Sequence, residues 1–98
     1  MAMHNPPHPG EFIRKTYLDP FGISIRALAE NLGVAASTLT RVVGERNAVS
    51  PEMALRLSKA VGRSPESWLA MQDNYDLWHA KKSADLAKVR KVRFNATG

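Results

Sequence analysis

The chain contains no cysteine. That absence excludes structural disulfides, thiolate nucleophiles and cysteine-ligated zinc fingers. It has no apolar run near the roughly 20 residues that a membrane-spanning helix requires, so no membrane partner is expected. The first ten residues hold Pro6, Pro7 and Pro9 and lack the apolar stretch of a signal peptide. A cytoplasmic location is the expectation. Acidic residues are also scarce. Nine Asp and Glu face 14 Lys and Arg, a net charge of +5, which favours a polyanionic partner such as nucleic acid.

Catalytic and metal-binding patterns are missing as well. His4 and His8 lie in a proline-containing arm, and His79 is remote from them in sequence. Glu11, Glu30, Glu45, Glu52 and Glu66 are scattered over helix starts and exposed faces, where capping and solvation explain them better than acid–base chemistry. No Ser/His/Asp order and no phosphate-cradling glycine loop occurs. The expectation is a protein that is not an enzyme, with no cofactor and no metal.

What is present is helical punctuation. The 98 residues suit one domain with a modest core, and a hydrophobic content of 44% is enough to fold it. Residues 1–9 read as an irregular arm. Phe12, Ile13 and Tyr17 recur at helical spacing, placing a first helix from Gly10 to about Leu18, before the turn Asp19-Pro20-Phe21-Gly22. Ser24 can cap a second helix, with Ile25, Leu28, Ala29 and Leu32 on its apolar face and Gly33 at its end. A third helix covers about Ala36 to Val43 and closes at Gly44. Ser50-Pro51-Glu52 and Ser64-Pro65-Glu66 repeat one start signal, a cap followed by an N1 proline and an acid, for the fourth and fifth helices. No segment alternates as a strand would. The class is all-α.

The second and third helices form the informative unit. A tight helix-turn-helix needs a small residue at the crossing, a turn glycine four positions on, inward apolar residues and a polar outer face. Ala29 and Gly33 supply the first two. Ile25, Leu28, Leu32, Val34, Leu39 and Val42 supply the apolar positions. With Leu39 and Val42 pointing inward, Ser37, Thr38 and Arg41 share the opposite face. Laid in a major groove, Arg41 can donate two hydrogen bonds to guanine, while Ser37 and Thr38 can reach bases or phosphates. Thr40 lies at the edge of that face and suits a phosphate. The amides at Ser24 and Ile25 offer a phosphate site at a helix start, and Arg46 and Asn47 suit a second backbone clamp. The expected partner is double-stranded DNA.

The run from Ile25 to Gly62 resembles the Xre/Cro–C1 type helix-turn-helix domain. Residues 5–80 are similar to its HigA/VapI-type antitoxin subgroup, on the combination His8-Pro9-Gly10-Glu11 with Ser64-Pro65-Glu66-x-Trp68-Leu69. The resemblance implies a five-helix Cro/C1-repressor-like bundle over residues 10–80. It also implies a dimeric repressor of its own operon that neutralises a HigB-type toxin ribonuclease. The DNA-contacting positions it implies match Ser37, Thr38, Thr40 and Arg41, with Arg46 in the loop. Two other readings stay open: a toxin-neutralising interaction module that touches DNA incidentally, and an orphan regulator without a toxin.

Two features remain. Trp68, Met71, Tyr75 and Trp78 fall on one helical stripe. Such a stripe either fills the core or packs against a second copy, and a homodimer suits a protein that reads two half-sites. Residues 81–98 form a basic extension, an extended helix or a tail, carrying Lys81, Lys82, Lys88, Arg90, Lys91 and Arg93. It is a solvated tail, a non-specific DNA contact, or, through Leu86, Val89 and Val92, a partner-docking segment.

Overall fold

The computed structural model describes residues 5–95; His4 lies outside them. Five α-helices follow one another: α1 (Pro9–Ile13), α2 (Ile25–Leu32), α3 (Ala36–Val43), α4 (Pro51–Val61) and α5 (Pro65–Ser83). Among the described residues there is no strand. No helix there is long and apolar enough to cross a membrane.

Each helix start has a local cause. Ser24, Ser50 and Ser64 accept hydrogen bonds from the amides of Ala27, Met53 and Ser67 at 3.0, 3.1 and 3.0 Å. Each satisfies one of the amides that lacks a partner in a first helical turn. The cap of α1 is different. The imidazole Nδ1 of His8 accepts from the Gly10 amide at 2.9 Å, and Pro9 then occupies the first helical position. Helix α1 therefore begins inside the segment expected to be an irregular arm. The described part of that arm is packed, with Pro6 and His8 both buried.

The expected first helix changes character halfway. After Ile13 the chain continues as a π-helical stretch, Arg14–Leu18, and the Asp19 amide donates to the Arg14 carbonyl at 2.9 Å. The wider turn brings residues five apart onto one side. Accordingly Ile13 and Leu18 are both buried in the core, while Tyr17 packs at its edge.

The other ends follow the glycines with one exception. Gly33 takes the left-handed conformation, φ 72°, and the Val34 amide returns to the Ala29 carbonyl at 3.0 Å, the capping geometry for which glycine is favoured. Gly44 ends α3 at φ −81°; the positive φ falls one residue later, on Glu45, at 64°. Helix α5 continues to Ser83 before the backbone turns extended at Ala84.

The core joins all five helices, with Ile13, Leu28, Leu39, Leu57 and Trp68 among its buried members. Trp68 is fully buried and donates its indole N–H to the Gly62 carbonyl at 3.0 Å. The core-filling alternative therefore holds for Trp68, which is unavailable to a second copy. The tightest contact joins α1 to α3. A β-carbon on Gly10 would lie 2.0 Å from the Val42 carbonyl oxygen and 2.9 Å from the Val43 Cα. Both obstacles are backbone, so a side chain there forces the helices apart. Gly10→Ala is expected to lower unfolding stability by about 1–3 kcal/mol, the usual cost of overpacking. Urea unfolding checks this, and an unchanged midpoint would contradict the close approach.

Candidate nucleic-acid interface

Helices α2 and α3 build a reading surface from the inside out. Leu39, Val42 and Val43 anchor α3 in the core. Residues 100° apart around a helix then place Ser37 and Arg41 opposite the core, with Thr38 and Thr40 on the two flanks. Ser37, Thr40 and Arg41 are exposed, and Thr38 is half-buried. The Thr40 hydroxyl donates to the Ala36 carbonyl at 2.8 Å, so its proton is used within the helix and its oxygen remains as an acceptor. That arrangement leaves the Arg41 guanidinium as the long donor at the centre of the face.

The loop after α3 is tied to the same helix. The amides of Arg46 and Asn47 both donate to the Arg41 carbonyl, at 2.8 and 3.2 Å. The exposed side chains of Arg46 and Asn47 thus start from a backbone fixed at the end of α3. Ser24 sits at the start of α2, its hydroxyl engaged as the cap. The structure therefore brings Ser37, Thr38, Thr40 and Arg41 to one helix, with Arg46 and Asn47 on the loop fastened to it, and Ser24 at the neighbouring helix start.

Three supporting residues escaped sequence reasoning. Arg56 donates to the Leu32 and Gly33 carbonyls at 2.8 and 3.3 Å and pairs with Glu52 at 2.9 Å, so it clamps the turn between α2 and α3. Only the Glu52–Arg56 spacing was visible beforehand. Gln72, buried in α5, accepts from the Val49 amide at 2.9 Å and donates to Asp76 at 3.0 Å. Its signal was a polar residue on the same face as Trp68 and Tyr75. Arg26, exposed in the first turn of α2, adds a cation beside Ser24.

The stripe on α5 divides. Trp68 belongs to the core, whereas Met71, Tyr75 and Trp78 are half-buried at its margin. The Tyr75 ring contacts His8 at 4.8 Å and His79 at 4.3 Å between centroids. The arm is thereby tied to α5, and two histidines distant in sequence flank one tyrosine. No group of three or more potential metal ligands exists among the described residues.

Comparison with known proteins identifies the class first. The helix-turn-helix family pattern matches residues 15–68. The chain is 37% identical over 92 residues to an uncharacterised helix-turn-helix transcriptional regulator of Escherichia coli, YddM, covering 94% of this chain and 97% of that protein. Its structure superposes on antitoxin GraA in complex with its operator with a TM-score of 0.83 and 37% identity, covering 96% of this chain and 97% of that one. It superposes on Pseudomonas aeruginosa antitoxin HigA, solved with the higBA promoter, with a TM-score of 0.79 and 34% identity, covering 90% and 96%. The chain belongs to the Xre/Cro–C1 type helix-turn-helix family, within the group that includes the HigA antitoxins.

The His8 cap carries a pH dependence. Burial holds the His8 imidazole below its ordinary pKa of 6.5, against the opposing pull of the Glu45 and Asp76 charges. The folded chain thus binds this proton less readily than the unfolded chain does. Its contribution to stability is intact above about pH 6.5 and is lost as the pH falls from there through the lower folded-state value. His8→Asn keeps a capping acceptor but cannot titrate. Stability measured by denaturant between pH 7 and 5 should fall less steeply for this variant; parallel curves would contradict the assignment.

Proposed function

We propose that this protein is a sequence-specific transcriptional repressor of its own operon and the antitoxin of a HigB-type toxin ribonuclease. The observation that carries the DNA-binding half is the outward face of α3, Ser37 and Arg41 flanked by Thr38 and Thr40, on a helix anchored by Leu39, Val42 and Val43. Its relatives solved on operator or promoter DNA support this reading. The antitoxin half is supported by the likeness to GraA and HigA. The protein acts by binding, not by catalysis, in the cytoplasm where its DNA is.

Affinity and selectivity divide between residues. Arg41 reads guanine through a bidentate pair, while Ser37 and Thr38 contact bases or phosphates along the groove. Thr40, at the edge of the face, donates to a phosphate once its hydroxyl turns from the Ala36 carbonyl. Arg46 and Asn47 clamp the sugar–phosphate backbone from the loop, and the amides near Ser24, with Arg26, hold it at the other side. Two copies related by a two-fold axis read two half-sites about one DNA turn apart. Met71, Tyr75 and Trp78 lie near that contact.

A binding titration over a panel of operator variants tests this division. Arg41→Ala should cost about 1–3 kcal/mol on sites carrying its base and little on sites already altered there. Arg46→Ala should weaken all sequences alike and lower the salt slope by about one. Indistinguishable behaviour of the two variants would contradict the assignment.

A further inference from the structure

The net charge of the chain sits in one place. Residues 1–80, which include the whole reading unit, carry eight Lys and Arg against eight Asp and Glu, and are formally neutral. Residues 81–98 carry Lys81, Lys82, Lys88, Arg90, Lys91 and Arg93 against Asp85 alone, and so account for the entire +5. The basic balance that favours a polyanionic partner belongs to the tail, not to the helix-turn-helix body.

Local structure keeps that tail open. Helix α5 ends at Ser83, and the backbone at Ala84 is extended. The one acid, Asp85, accepts from the Ala87 amide at 3.0 Å, and the Val89 amide donates to the Leu86 carbonyl at 3.0 Å. Asp85 is thereby occupied in its own turn. After it comes Lys88-Val89-Arg90-Lys91-Val92-Arg93, one tripeptide written twice without an acid. Residues 84–95 are all exposed. The ion pairs among the described residues, Lys15–Glu11 and Arg56–Glu52, involve none of these cations. Like charges this close repel one another and hold such a stretch extended.

The root of the tail is close to the loop that carries Arg46 and Asn47. Gln72 of α5 takes the Val49 amide at the end of that loop, and from Gln72 to Ser83 a helix rises only about 16 Å. From Ala84 to Arg93 an extended chain reaches about 30 Å, close to the roughly 34 Å of one DNA turn.

We infer that the tail is an electrostatic arm on DNA, in which Lys88, Arg90, Lys91 and Arg93 neutralise phosphates beside the site that α3 reads. This rests on the DNA-binding reading above and divides its affinity. A reading face on a neutral body selects a sequence but gains little long-range attraction. Phosphate neutralisation releases condensed counterions and needs no fixed fold, so an extended cationic chain supplies the sequence-independent part. Leu86, Val89 and Val92 are separated by cations and bury nothing in this arrangement. An acidic groove on a protein would need them as anchors, which separates the two kinds of partner.

Fluorescence anisotropy of the full chain tests the arm over a salt series. The probes are the duplex upstream of its own coding sequence and a scrambled duplex of equal length. Lys88→Gln, Arg90→Gln, Lys91→Gln and Arg93→Gln combined should weaken binding to both duplexes alike, about tenfold or more at about 0.1 M salt. The slope of log affinity against log salt should fall by about three to four. The ratio between the two duplexes should stay the same, because phosphate contacts carry no sequence. Leu86→Ser, Val89→Ser and Val92→Ser combined should change none of these values. Circular dichroism verifies that these exposed positions leave the fold intact. Full affinity and an unchanged slope in the charge variant would overturn the arm while leaving the reading face in place. A loss confined to the chain's own duplex, or a loss of DNA affinity in the apolar variant, would overturn it too. An unaltered chain that binds both duplexes equally would instead contradict the reading face, and one that binds neither would overturn both.

Discussion

The backbone of α1 passes so close to that of α3 that only a hydrogen atom fits at Gly10, against the Val42 carbonyl. The placing of α3 depends on that contact, because α3 is otherwise a short helix with one apolar side and no side-chain cap at Ala35. Pro9 begins α1 just before the contact, and His8 caps it through its own ring. The ring is in turn held edge-on by Tyr75 of α5. A continuous chain of packing thus runs from the arm through α1 to the back of the reading helix.

Two polar clamps complete the support. Arg56 reaches from α4 to the carbonyls of Leu32 and Gly33, holding the turn that sets α2 against α3. Gln72 reaches from α5 to the Val49 amide, holding the far end of the loop that carries Arg46 and Asn47. Buried or half-buried, each satisfies backbone groups that would otherwise lose their water without compensation. The reading face can stay polar and exposed because its positioning is done from behind.

Most of the fold was legible in the sequence because its signals are local. Serine caps followed by proline mark α4 and α5, Ser24 and Gly33 bracket α2, and the apolar spacing of Leu39 and Val42 orients α3. The outward direction of Ser37 and Arg41 followed from that spacing alone. What escaped depends on contacts between distant residues. The π-helical stretch arises because Leu18 joins Ile13 in the core, which no spacing within a single α-helix announces. The burial of Pro6 and His8, the turn clamp of Arg56 and the loop clamp of Gln72 each need the whole bundle to be assembled. Trp68 was assigned two alternatives by its position on the stripe, and its burial selects the core.

The charge of the molecule is arranged to match these roles. Arg26, Arg41 and Arg46 are exposed around α2 and α3, while acids gather on the first half of α5. The central claim is that this surface selects a DNA sequence, and one measurement tests it most directly. The purified chain is titrated by fluorescence anisotropy with the duplex upstream of its own coding sequence, at several salt concentrations and with excess scrambled duplex as competitor. Saturable binding that survives the competitor is the predicted result. Weak binding that salt erases and that ignores sequence would contradict the account.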